Sequence, residues 1–147
     1  MVSEDYTVVL LFDNNDDSAD LITRKFSAVD VPHQVRRVTN SDAMIKYLND
    51  SNNKEGSEKD LRPKLIVIHT DSFDKNIESV VSYIKNDAEF RRIPVVVFSK
   101  SGDEASIQKA YELKTNSYIE YPDSSEQIEN VVGEVASYWL NWNQLPS

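Results

Sequence analysis

Residues Leu65 to Phe73 read LIVIHTDSF: four apolar side chains, then histidine, threonine and aspartate, then a turn. An unbroken apolar run of this length suits a strand buried on both faces, and such strands belong to parallel sheets. A strand that ends on polar groups presents them at the edge of its sheet. Two further runs carry the same signature, Thr7–Phe12 (TVVLLF) and Val95–Ser99 (VVVFS). Gln34–Val38 (QVRRV) is half polar and reads as an edge strand, and Ser117–Glu120 (SYIE) is the last strand candidate.

Helical patterns alternate with these strands. DDSADLITRKFSAV opens with acids and a serine, which suit a helix N-terminus. SDAMIKYLND begins on Ser41 as its expected cap and sets Met44, Ile45 and Leu48 at helical spacing. Ile77, Val80, Val81 and Ile84 form a second apolar stripe, and Ile107, Ala110, Tyr111 and Leu113 a third. A last helix from about Ser124 to Asn141 gathers Ile128, Val131, Val132, Val135 and Trp139. Asn52 to Lys59 reads as a polar loop.

Strict alternation of this kind predicts an α/β fold: a flavodoxin-like five-stranded parallel sheet, order 2-1-3-4-5, with helices on both faces. The chain of 147 residues is expected to form one domain over 1–147, with a core over about 6–141. In such sheets the functional cleft lies at the C-terminal ends of the central strands. The positions of interest are therefore Phe12 and Asp13, His69 to Asp71, Ser99 and Lys100, and Tyr121 and Pro122.

Composition excludes several function classes. Twenty-five acidic against 16 basic side chains give a net charge of -9, which repels nucleic acid and anionic membranes. No apolar run approaches the roughly 18 residues of a membrane span, and the N-terminus shows no secretory signal. Zero cysteines exclude disulfides and thiolate metal sites. A cytoplasmic location is expected.

With VLLFDNNDDSADLI, VPHQVRRVTNSDAMIKYL, RPKLIVIH, IKNDAEFRRIPVVVFSKS and YWLNWNQLPS in this order, the chain resembles the receiver domains of two-component response regulators, especially the single-domain regulators associated with phytochromes. The resemblance implies a phosphoacceptor aspartate ending the third strand. It also implies two acidic residues after the first strand that hold Mg²⁺, a Ser or Thr after the fourth, and a Lys after the fifth. Here His69 occupies the acceptor position and Tyr121 the lysine position. Phe12 is read at the first acidic position, leaving Asp13. Ser99 fits the hydroxyl position, and Tyr118 the aromatic that in the family swings inward on activation.

The residues then admit several readings. His69 is a neutral histidine at the top of the sheet, a pH-sensitive switch beside Asp13 or Asp71, or a site of metal ligation or phosphorylation. Asp71 is a loop acid capping the next helix, or a displaced phosphoacceptor. The DNNDD run, Asp13 to Asp17, is a solvated loop or a weak cation site. Tyr138 and Trp142 lie four apart and form a partner surface or simple packing.

The resulting expectation is an atypical receiver that binds rather than catalyses, with no catalytic residue, metal or cofactor. Its expected partners are a sensor kinase or another regulator, met through Tyr111, Tyr118, Tyr138 and Trp142, with homodimerisation through the last helices. A phosphorelay receiver using Asp71 or His69 is one alternative. A small-ligand binder with a cleft of Phe12, Tyr121 and Ser99 is another. Only NQLPS follows the fifth helix, so no DNA-binding output domain is expected.

Overall fold

The computed structural model describes residues 7–52 and 62–146. Its strands are β1 (Thr7–Phe12), β2 (His33–Val38), β3 (Leu65–Thr70), β4 (Val95–Ser99) and β5 (Ser117–Glu120). Between and after them run α1 (Asp16–Ser27), α2 (Ser41–Ser51), α3 (Lys75–Asn86), α4 (Glu104–Glu112) and α5 (Ser125–Ser137). The strands form one parallel sheet in the order β2-β1-β3-β4-β5. The strands hold to within a residue of their expected bounds, and the half-polar strand is at the edge. The polar loop read over Asn52 to Lys59 lies outside the described residues from position 53 on.

Successive side chains of a strand point to opposite faces, so odd and even positions enter different cores. Leu10, Phe12, Ile66, Ile68, Val95 and Val97 pack with Met44 and Leu48 of α2, the α3 stripe and Ala110 of α4. Val9, Leu11, Leu65, Val67, Val96 and Phe98 pack with Ile22 and Phe26 of α1, and with Val132 and Ala136 of α5. Each fully buried Leu, Ile or Phe contributes about 1.5–3 kcal/mol. The stripe expected on α4 is narrower: Ala110 is buried, whereas Tyr111 stands exposed.

Local chemistry fixes the helix starts, and two differ from expectation. Asn40, not Ser41, caps α2, its side chain accepting the Ala43 N–H at 2.8 Å. Asp74, not Asp71, caps α3 by accepting the Ile77 N–H at 3.0 Å. The last helix is not continuous: after Ser137 it widens into a π-helical turn over Tyr138–Trp142. Trp139 of that turn stays in the core, and Trp142 is left outside. Among the described residues no helix is long and apolar enough to cross a membrane.

Candidate functional site

β1 and β3 are neighbours in the sheet, with Phe12 opposite Ile68. The next residues out, Asp13 and His69, therefore meet just above the sheet. His69 Nδ1 lies 3.1 Å from Asp13 Oδ1, with Asp13 fully buried and His69 96 % buried. Asp13 also accepts the Asn15 N–H at 3.0 Å on Oδ1 and the Ser18 hydroxyl at 2.6 Å on Oδ2.

Ser18 has one hydroxyl proton, and that short bond places it on Asp13. The close contact between His69 and the carboxylate is then made by an N–H on Nδ1, because a carboxylate oxygen only accepts. Ser18 Oγ, 3.3 Å from the same nitrogen, shares that donor. The ring's other nitrogen, Nε2, is buried and has no hydrogen-bond partner among the described residues. Tyr121 packs against the imidazole in a T-shaped arrangement, with ring centroids 4.4 Å apart.

The loop that carries Asp13 is held from β2. Arg37 donates through Nε to the Asp13 carbonyl at 3.0 Å and pairs with Asp16 at 2.9 Å. Asn15 caps α1 by accepting the Ser18 N–H at 3.0 Å, and Asp16 and Asp17 occupy its first turn. The DNNDD run is thus divided: a buried acid, a helix cap and two acids beside the positive end of a helix dipole.

A cleft of about 300 Å³ opens above the pair, lined among others by Asn14, His69, Thr70, Asp71, Lys100 and Tyr121. Asp71 is exposed and its carboxylate lies 3.5 Å from the Lys100 ammonium. Burial raises the Tyr121 phenol above its ordinary value, with the Asp13 charge adding to the shift.

Two of the residues read into this site lie elsewhere. Phe12 points to the opposite face of the sheet and packs in the core with Leu10 and Phe73. β1 ends at Phe12, so the two residues after the strand are Asp13 and Asn14, an acid and an amide. Ser99 is fully buried below the cleft, and its hydroxyl accepts the Ser101 N–H at 3.1 Å. The ligand cleft envisaged from Phe12, Tyr121 and Ser99 is therefore not formed; of the three only Tyr121 lines it. The Tyr121–Pro122 peptide bond is trans.

Tyr118 is turned inward. Its ring lies against Phe73 with centroids 6.1 Å apart, and its hydroxyl donates to the Ser101 carbonyl at 2.5 Å. Burial raises its phenol above the ordinary value, opposed by a hydrogen bond to Ser99. Tyr111, Tyr138 and Trp142 are 48 %, 51 % and 76 % exposed. The sequence reading missed Ser18 and Arg37 as parts of the site. Only Ser18 left a trace, one helical turn into the segment that follows Asp13.

No protein-family model matches the chain. It is 31 % identical over 144 residues to the probable methanogenesis regulatory protein FilR2 of Methanothrix harundinacea, covering 98 % of this chain and 90 % of that one. The Mn²⁺-bound crystal structure of response regulator Rcp1, a protein of Synechocystis, superposes with a TM-score of 0.85 at 25 % identity, covering 96 % and 99 % of the two chains. The phosphorylated cyanobacterial phytochrome response regulator RcpA superposes with a TM-score of 0.83 at 30 % identity, covering 97 % and 99 %. Fold, coverage and identity agree: the chain belongs to the response regulators, as a receiver domain of signal transduction similar to the cyanobacterial phytochrome regulators.

Proposed function

We propose that this receiver works as a protein-interaction module whose output does not depend on phosphorylation at the end of β3. The carrying observation is the bond between Asp13 and His69. The seat of the acceptor is filled by a buried imidazole, and the remaining acid behind β1 is already satisfied by that ring, Ser18 and Asn15.

The residues present do not fit the Mg²⁺ that the family implies. Among the described residues no three His, Cys, Asp or Glu side chains converge on one point. Magnesium requires near-octahedral oxygen ligation, and His69 near the end of β3 offers nitrogen instead. Tyr121 adds no positive charge where the family has lysine. Meanwhile Tyr118 already has the inward orientation, bonded to the β4–α4 loop.

The output on this reading is a surface. Tyr111, Tyr138 and Trp142 present aromatic rings of the type that anchor protein contacts. A sensor kinase or a second regulator is the partner that family membership implies, and pairing of two copies through the last helices would use Tyr138 and Trp142. The chain acts as one cytoplasmic receiver unit.

A second reading rests on the Lys100–Asp71 contact. A lysine after β4 stands beside an exposed carboxylate, a pairing that favours Asp71 as a displaced acceptor. One experiment separates the two: intact mass and amide exchange before and after acetyl phosphate with Mg²⁺. Unchanged mass and exchange support the interaction module. A gain of one phosphoryl group that Asp71→Asn abolishes establishes the displaced acceptor.

A further inference from the structure

We infer that His33 is an acid-dependent clamp on the C-terminal end of α1. His33 opens β2, opposite Thr7 of β1, and is half-buried. Its Nδ1 lies 2.6 Å from the Val31 carbonyl oxygen, and its Nε2 lies 2.9 Å from the Phe26 carbonyl oxygen. A carbonyl oxygen accepts hydrogen bonds and never donates them. Both contacts are hydrogen bonds only when both ring nitrogens carry a proton, so this geometry calls for imidazolium. Either neutral tautomer turns a nitrogen lone pair onto one of the two oxygens.

The acceptors sit where a cation is favoured. Phe26 is in the last turn of α1, where unpaired carbonyls form the negative end of the helix dipole. Its oxygen also takes the Val29 N–H at 3.1 Å. One protonated ring thus joins the end of α1, the turn after it and the first residue of β2.

Charged groups on the packed elements leave this role to His33. Arg24 and Lys25 in the last turn of α1 are both engaged by Glu129 of α5. The turn contributes exposed Asp30, β1 opposes the ring with Thr7, and Arg37 of β2 is committed to Asp13 and Asp16. Arg36 stands on β2, opposite Leu10 of β1. The opposite end of α1 supplies Ser18 to Asp13, so the clamp fixes the far end of the helix that serves the cleft.

The chain has two histidines, which makes the test direct. Ring ¹⁵N–¹H spectra at pH 5.5 should show both His33 N–H protons, each exchanging slowly with water and each coupled across its bond to a carbonyl. Melting curves from pH 5.5 to 8.0 should show the unaltered chain losing about 4–8 °C more than His33→Gln, as one charged-donor bond is lost. Parallel curves for the two chains overturn the inference. So does a His33 ring whose N–H protons exchange freely at pH 5.5. That spectrum is read on the unaltered chain, and decides the matter alone if His33→Gln does not fold.

Discussion

His69→Asp puts a carboxylate back at the end of β3, and the structure sets the consequence. The variant loses the N–H that Asp13 Oδ1 accepts at 3.1 Å, a bond to a charged group worth about 1.5–3 kcal/mol. It also faces one carboxylate with another in a buried site. At an effective dielectric of about 20, two such charges roughly 5 Å apart repel by about 3 kcal/mol. Uptake of a proton relieves part of this, so the net cost is about 3–5 kcal/mol, or a melting temperature lower by about 10 °C in chelating buffer. The paired acids now form an oxygen-rich site, and Mg²⁺ at 100 times its dissociation constant restores about 2.7 kcal/mol. Thermal melts with EDTA and with Mg²⁺ measure both effects. A variant as stable as the parent in EDTA refutes the idea that His69 serves Asp13 as its counter-group. A parent that gains as much from Mg²⁺ as the variant refutes the poor fit of the metal.

Three further outcomes follow from other parts of the molecule. Lys85 donates to the Arg91 and Ile93 carbonyls and to Asn116 Oδ1, and burial pushes its amine down to about 8 from 10.5. Between those values the unfolded chain holds a proton that the folded chain releases, so stability rises with pH. Urea titrations at two pH values in that window should show a larger gain for the parent than for Lys85→Met, and equal gains contradict the assignment. Tyr118→Phe keeps the ring on Phe73 but loses the bond to Ser101, so amide exchange should quicken across residues 99–103 at a stability cost of about 1 kcal/mol. Unaltered exchange there means the hydroxyl does not hold the loop. Trp142→Ala, at a side chain 76 % exposed, should leave stability within about 0.5 kcal/mol while weakening kinase capture or self-association. Undiminished binding removes this face from the interface.

The strands were legible because burial on both faces leaves an unbroken apolar run, and Arg36 and Arg37 marked the edge strand. Caps were harder. Asn40 and Ser41, or Asp71 and Asp74, are near neighbours with the same chemistry, and extended backbone at Asn40 and Asp74 decides between them. The error at Phe12 was avoidable by parity. Leu65 and Val67 share a core with Val9 and Leu11, so His69 belongs with Asp13, and Phe12 goes with Leu10 to the other side. The pairing of Asp13 with Ser18 and the contact of Lys100 with Asp71 depend on side-chain directions that spacing does not encode. Nor does composition reveal that α5 widens at Tyr138 and turns Trp142 outward.

The strand order also governs the order of events while the chain is being made. β2 follows β1 within a few dozen residues and covers one of its edges. Its other partner, β3, begins 53 positions after Phe12. At roughly 5–20 residues per second, that edge waits about 3–10 s with its amide and carbonyl groups unpaired beside an apolar surface. The nascent chain is most exposed to wrong partners in that interval, and slower translation over positions 53–64 lengthens it.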